Sequence, residues 1–159
     1  MKKQKIFLDT TIISYLYKPD KPEKEAETWL LWKHLMAGEF DIFLSDVVLN
    51  EVENCPEPKR QKIKDMLKKI DYLVVSINDP IEDIADEIIR LDILKKKNWN
   101  DCLHIGCAIH TNCDLLLSWN FADLVNPKTS RGILTLGLLH NFSMIEIISP
   151  FSLNLKEIR

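Results

Sequence analysis

The sequence lacks the features of a membrane or exported protein. No apolar run is long enough to span a bilayer, and the basic N-terminal residues lead into a strand-like run that Asp9 interrupts. The four cysteines form no Cys-x-x-Cys pair, which favours free thiols in a reducing compartment. The sequence therefore predicts a cytoplasmic protein that has no membrane partner.

An excess of basic charge is also missing. The net charge of −3 and the isoelectric point near 5.8 argue against a general nucleic-acid coat protein. They do not exclude a nuclease, because acids that bind a divalent metal are negative and the metal reverses the local sign. Internal repeats, low-complexity tracts and linkers are absent too, and 46% of the 159 residues are hydrophobic. We expect a single domain over residues 1–159.

Short apolar runs alternate with helical patterns along the chain. After the first run, which ends at Leu8, strands are predicted at 41–44, 72–76, 115–118 and 144–148. The last helix is predicted over 133–140, after a loop at 126–128. This alternation is typical of an α/β fold with a mainly parallel sheet.

The run FLDTT, residues 7–11, ends a predicted strand in a carboxylate and two hydroxyls. An apolar run of this length is typical of a buried parallel strand. In such sheets ligands bind beyond the carboxyl ends of the strands, which makes Asp9 a candidate functional residue. The alternative is that Asp9 only caps the next helix.

A second acid, Glu51, lies in the helix after the second predicted strand. Its stem shares a face with Val47 and Val48, at i−4 and i−3, whereas Glu53 is rotated by about 200° towards water. The pattern therefore places Glu51 on the half-buried face of this helix. The alternative is a solvated glutamate at the rim of the fold.

A third acid, Asp101, begins a helix whose apolar stripe continues at Ile105, Ala108 and Ile109. This spacing points the carboxylate inward at the helix N-terminus, where backbone N–H groups favour an anion. The alternative is an ordinary first-turn acid that stabilises the helix dipole.

Three acids beside strand ends suggest a site for Mg²⁺ or Mn²⁺, which prefer oxygen ligands. Two such ions can bridge a phosphodiester and promote its hydrolysis. Asn120, after the fourth predicted strand, either completes this polar cluster or is a turn residue. A zinc site at Cys107, His110 and Cys113 is the other metal hypothesis, but their spacing matches no closed structural site.

Four segments together resemble the PIN-domain ribonucleases, especially bacterial VapC-type toxins. They are FLDTT at 7–11, LSDVVLNEV at 44–52, NDCLHIGCA at 100–108 and LLSWNF at 116–121. The resemblance implies a three-layer α/β/α sandwich and Mg²⁺-dependent cleavage of single-stranded or structured RNA. It assigns the first three acids of the family to Asp9, Glu51 and Asp101. The family pattern has a fourth acid where this chain has Asn120, a neutral and weaker ligand.

The sequence is therefore interpreted as a metal-dependent endoribonuclease, the toxin of a toxin–antitoxin pair. Asp9, Glu51 and Asp101 are expected to hold Mg²⁺ or Mn²⁺, and Asn120 to position metal or water. Thr10, Ser118 and Lys97 are expected to contact ligands or the RNA backbone. The resemblance also favours a homodimer and an antitoxin protein as partner.

Two other functions remain open at this stage. A non-catalytic module of the same fold that binds RNA or a protein would explain the neutral Asn120. A HAD-type phosphatase would also carry an acid after its first strand, but it needs a second acid where this chain has Thr11.

Overall fold

The structure of the protein is a computed structural model that describes residues 2–158, and its strands form one sheet. The strands are β1 (Gln4–Leu8), β2 (Phe40–Ser45), β3 (Leu73–Val75), β4 (Leu115–Leu117) and β5 (Glu146–Ile148). Their order is β3-β2-β1-β4-β5, and every neighbouring pair is parallel. The first strand of the chain is therefore the central strand of the sheet.

Seven α-helices connect these strands within the described residues. They are α1 (Thr10–Ser14), α2 (Pro22–Met36), α3 (Asp46–Glu53), α4 (Lys59–Leu67), α5 (Asp79–Arg90), α6 (Trp99–His110) and α7 (Pro127–His140). Short 3₁₀ segments cover Tyr15–Tyr17, Lys96–Asn98 and Pro150–Leu153. None of the helices in residues 2–158 is both long enough and apolar enough to cross a membrane.

The central strand is buried on both of its faces. Ile6, Phe7 and Leu8 have no exposed surface, although successive side chains of a strand point to opposite sides of the sheet. Helices must therefore pack against both faces, as all-parallel sheets require. The predicted α/β/α sandwich with a parallel central sheet is confirmed.

The start of α7 differs from the prediction. The segment 126–128 was expected to be a loop, but α7 begins at Pro127 rather than at Ile133. Asn126 is its N-cap, since its Oδ1 accepts a hydrogen bond from the Thr129 N–H at 2.9 Å. An Asn-Pro pair is common in loops, yet the same pair also suits the N-cap and first position of a helix.

The pairing of β1 with β4 sets the geometry at the carboxyl edge of the sheet. Leu8 pairs with Leu117, so the residues that follow them, Asp9 and Ser118, are neighbours. The Asp9 N–H donates to the Leu117 carbonyl at 3.2 Å, which extends the ladder by one residue. Side chains that are more than 100 residues apart in sequence therefore meet at this edge.

Candidate active site

Asp9 lies at the centre of the carboxyl edge and is 1% exposed. Its Oδ1 accepts hydrogen bonds from Thr11 Oγ1 at 2.6 Å and from the Ile12 N–H at 3.2 Å, while its Oδ2 accepts one from Ser118 Oγ. Asp9 is thus the N-cap of α1, as the alternative interpretation proposed, and also the most central acid. Burial raises the pKa of Asp9 to about 6, although these hydrogen bonds oppose the rise.

Asp101 is partly buried in the first turn of α6. Burial raises the pKa of Asp101 to about 7, and the negative charges of Asp9, Asp123 and Glu51 add to the effect in that order. The charges of three other carboxylates can raise the pKa of Asp101 only if those carboxylates lie close to it. The structure therefore brings the three predicted acids into one acidic cluster.

Glu51 is half-buried on α3 and faces the start of α6. Its Oε1 accepts a hydrogen bond from Asn100 Nδ2 at 3.4 Å and lies 3.9 Å from His104 Nε2. Burial also raises the pKa of Glu51. Glu53, by contrast, is exposed and pairs with Lys64 Nζ at 2.7 Å, so the two glutamates of α3 face different environments, as their helical phase indicated.

Asn120 is both a member of the cluster and a turn residue. Its Nδ2 donates to Asp101 Oδ2 at 3.3 Å, and its Oδ1 accepts from the Asp123 N–H at 3.1 Å. Ser118 connects this turn to the first acid, because its hydroxyl donates to Asp9 and accepts from the Asn120 N–H at 2.9 Å. Asn120 therefore makes a contact within the polar cluster and also a contact of a turn residue, the two interpretations that the sequence allowed.

Asp123 is an acid of the cluster that the sequence interpretation missed. It accepts a hydrogen bond from Asn98 Nδ2 at 3.1 Å, and its charge is one of those that raise the pKa of Asp101. The available signal was its position three residues after Asn120, in the turn that follows β4. Only Asn120 was considered there, whereas the structure supplies a fourth carboxylate from the same turn.

Two of the predicted substrate contacts lie at the margins of the cluster. The buried Thr10 hydroxyl lies near Glu51, but it has no hydrogen-bond partner of acceptable geometry among residues 2–158. Lys97 is exposed and lines a cleft of about 150 Å³ together with Lys95, Lys128 and Asp123. A free hydroxyl and several ammonium groups therefore flank the carboxylates.

The carboxylates are near one another but do not converge on a single point. In the part of the chain that the structure describes, no three His, Cys, Asp or Glu side chains lie close enough to hold a metal ion as they stand. The donor chemistry still fits a hard divalent cation, because carboxylate oxygens are its preferred ligands and a cation would remove the repulsion felt by Asp101. Asp9, Glu51, Asp101 and Asp123 are the residues that would hold it.

The zinc hypothesis fits the structure poorly. Burial raises the pKa of the Cys107 thiol to about 12 and also raises that of Cys113, so both thiols resist conversion to the thiolate that binds zinc. His110 is exposed, and its Nε2 lies 3.5 Å from Asn78 Nδ2. These residues do not form a metal-binding group within the described residues.

Comparison with known proteins finds one family and a structural likeness. The family model described as PIN domain matches residues 6–120, which run from β1 to Asn120. Solved structures similar to this chain include the crystal structure of VapBC2 from Rickettsia felis bound to a DNA fragment from their promoter. That likeness has a TM-score of 0.55 and 19% sequence identity, and it covers 74% of this chain and 89% of the other. No curated protein sequence is significantly similar to this chain.

Proposed function

The chain belongs to the PIN domain family, and from that premise we propose that it is an endoribonuclease that depends on Mg²⁺ or Mn²⁺. The observation that carries the proposal is the acidic cluster at the carboxyl edge of the sheet. Four carboxylates from four separate segments lie near one another there, and the pKa values of two of them are raised to about 6 and about 7. Perturbed acids gathered in a parallel α/β sheet are typical of functional sites.

Each residue of the cluster has a distinct proposed role. Asp9 is a pre-oriented ligand, because three hydrogen bonds fix its carboxylate. Asp101, Glu51 and Asp123 supply the further negative charge that attracts the cation. Asn120 holds Asp101 in place through its amide. A cation held by these carboxylates would supply Lewis-acid chemistry, stabilising charge on the phosphodiester and promoting ionisation of the attacking water.

Three further residues are proposed to contact the substrate or to orient the site. The buried Thr10 hydroxyl, which lies near Glu51, is proposed to orient that ligand, and Lys97 attracts the RNA backbone. Ser118 acts through Asp9, to which it donates a hydrogen bond.

The proposal extends to a partner protein and to a cellular location. The likeness to VapBC2 supports an antitoxin protein as partner of this chain, and the homodimer remains a proposal from family resemblance. The cysteines of the described residues are all free, which supports a reducing compartment such as the cytoplasm.

RNA cleavage by the purified protein tests the proposal. Cleavage should require Mg²⁺ or Mn²⁺, and Asp9→Asn, Glu51→Gln and Asp101→Asn should each reduce the rate by about a hundredfold or more, since each removes a ligand charge. Glu53→Gln is the matched control, because Glu53 lies on the same helix but pairs with Lys64 at the surface.

Two results would contradict the proposal in different ways. Undiminished cleavage in excess EDTA would remove the metal from the mechanism. Absence of cleavage by the wild-type protein, combined with retained RNA binding, would favour the alternative of a non-catalytic binding module. That alternative is supported by the carboxylates not converging on one point in the described residues.

A further inference from the structure

An aromatic cluster lies directly beside the acidic cluster. Its centre is Trp119, which is buried, stacks on Tyr15 at 5.8 Å with an interplanar angle of 11°, and meets the edge of Phe151 at 4.9 Å. Phe121 packs against the same indole at 6.4 Å but remains 40% exposed. Phe121 therefore packs on the cluster while part of its surface remains open to solvent.

The aromatic cluster and the carboxylates are joined by one short turn. Asn120 stands between the two rings in sequence and donates to Asp101 at 3.3 Å. The backbone N–H of Trp119 donates to Thr11 Oγ1 at 2.8 Å, and that hydroxyl in turn donates to Asp9. Phe121 therefore follows directly in the chain after a residue that contacts Asp101.

Positive charge accompanies these aromatic rings. Lys24 Nζ, at the start of α2, lies 4.8 Å from the ring centre of Phe121 and 5.8 Å from that of Trp119. Lys18 Nζ lies 5.5 Å from the ring centre of Tyr15. Exposed aromatic faces combined with ammonium groups are what proteins use to bind single-stranded nucleic acid, since every base has a face to stack and every linkage carries a negative charge.

We propose that Phe121 and Lys24 form a subsite for one unpaired nucleotide of a single-stranded RNA. The base stacks on Phe121, and the adjacent phosphate contacts the Lys24 ammonium group. This inference rests on the proposed ribonuclease function and assigns two residues to one nucleotide of the substrate, which must be unpaired because a base inside a duplex cannot present its face to a protein side chain. RNA is favoured over a protein partner because the subsite combines positive charge with direct continuity to the carboxylates.

Binding of labelled RNA in EDTA, measured by fluorescence anisotropy, tests the stacking role without cleavage. Phe121→Ala should weaken binding of a single-stranded oligonucleotide about tenfold, the usual scale for loss of one stacked base. The same change should leave binding of a duplex of the same sequence unaltered, and Phe121→Tyr should restore single-strand binding. Phe142→Ala is the matched control. Phe142 stacks on His140 and precedes β5, so it lies at the amino-terminal ends of the strands, away from the carboxylates.

The salt dependence of binding tests the role of Lys24. Lys24→Gln should lower the slope of log affinity against log salt by about 0.7, as expected for the loss of one phosphate contact to a single strand. Lys33→Gln should leave the slope unchanged, because Lys33 lies near the other end of α2 and pairs with Glu157 at 3.5 Å.

The outcomes separate this subsite from the ribonuclease proposal. If the wild-type protein cleaves RNA but Phe121→Ala binds single strands as tightly as wild type, the subsite is refuted and the ribonuclease function stands. Equal weakening of single-strand and duplex binding by Phe121→Ala would also refute stacking. If the wild-type protein binds single strands through Phe121 but cleaves none with Mg²⁺, the subsite stands and the ribonuclease function fails.

Discussion

Replacement of Asp101 by Asn should stabilise the metal-free protein while it damages the site. The partly buried carboxylate is desolvated and repelled by Asp9, Asp123 and Glu51, and together these effects raise the pKa of Asp101 from 3.8 to about 7. The neutral amide removes the charge and can still accept the hydrogen bond from Asn120. Asp101 is thus expected to lower stability in the absence of a cation.

The size of this effect follows from the raised pKa. Each unit of difference corresponds to about 1.36 kcal/mol, which gives an upper bound of about 4 kcal/mol. Because the carboxylate is partly open to solvent, screening reduces the expected gain to about 2 kcal/mol. Loss of a first-turn acid costs about 0.5 kcal/mol through the helix dipole, so the net gain in the free energy of unfolding should be about 1.5 kcal/mol.

The pH dependence of stability independently tests whether the Asp101 carboxylate destabilises the folded protein. The folded protein holds the Asp101 proton more tightly than the unfolded chain, so wild-type stability falls as pH rises from about 4 to about 7. The advantage of Asp101→Asn should therefore be absent below pH 4, grow across that window and stay constant above it.

Urea denaturation in EDTA at pH 4 and pH 7.5 measures this difference. The control is Asp86→Asn, at an exposed position of α5, which should change the free energy of unfolding by less than about 0.5 kcal/mol. Added Mg²⁺ should stabilise the wild-type protein more than the variant. An Asp101→Asn variant that is no more stable than wild type at pH 7.5 would refute the electrostatic argument.

Two further changes test the site and the packing beneath it. Asn120→Asp should place another carboxylate beside Asp101 and tighten Mn²⁺ binding, as measured by calorimetry; a titration that overlays the wild-type curve would remove Asn120 from the metal site. Gly106→Ala should lower the free energy of unfolding by about 1–3 kcal/mol in urea denaturation, because a Cβ on α6 would lie 2.9 Å from the Ile81 backbone oxygen of α5. Unchanged stability would show that α5 and α6 can move apart enough to accommodate the added methyl group.

The order of elements was predictable because each has a strong local signal. The apolar run before Asp9 is too short for a membrane span and too apolar for a surface strand, and residues 6–8 are indeed completely buried. The start of α7 was missed because an Asn-Pro pair, here Asn126-Pro127, occurs both in loops and at the N-termini of helices. The choice depends on whether the following residues pack, which a local pattern does not reveal.

The acidic cluster was only partly predictable for a similar reason. Asp9, Glu51 and Asp101 each stand at a strand end or on an apolar helix face, and the structure brings them together. Asp123 has a weaker marker, since it lies several residues beyond the end of β4 in an irregular turn. Its proximity to Asp101 depends on how that turn folds back, which the hydrogen bond from the Asp123 N–H to Asn120 determines.

Anomalous diffraction from crystals soaked in Mn²⁺ tests the central claim most directly. We expect a peak in the anomalous map between Asp9 and Asp101, with carboxylate oxygens at about 2.0–2.2 Å from the ion, the range of first-row divalent metals. The same soak of Asp9→Asn crystals should lose most of that peak. A well-ordered wild-type site without Mn²⁺, or a peak confined to another part of the molecule, would contradict the assignment of these carboxylates as a metal site.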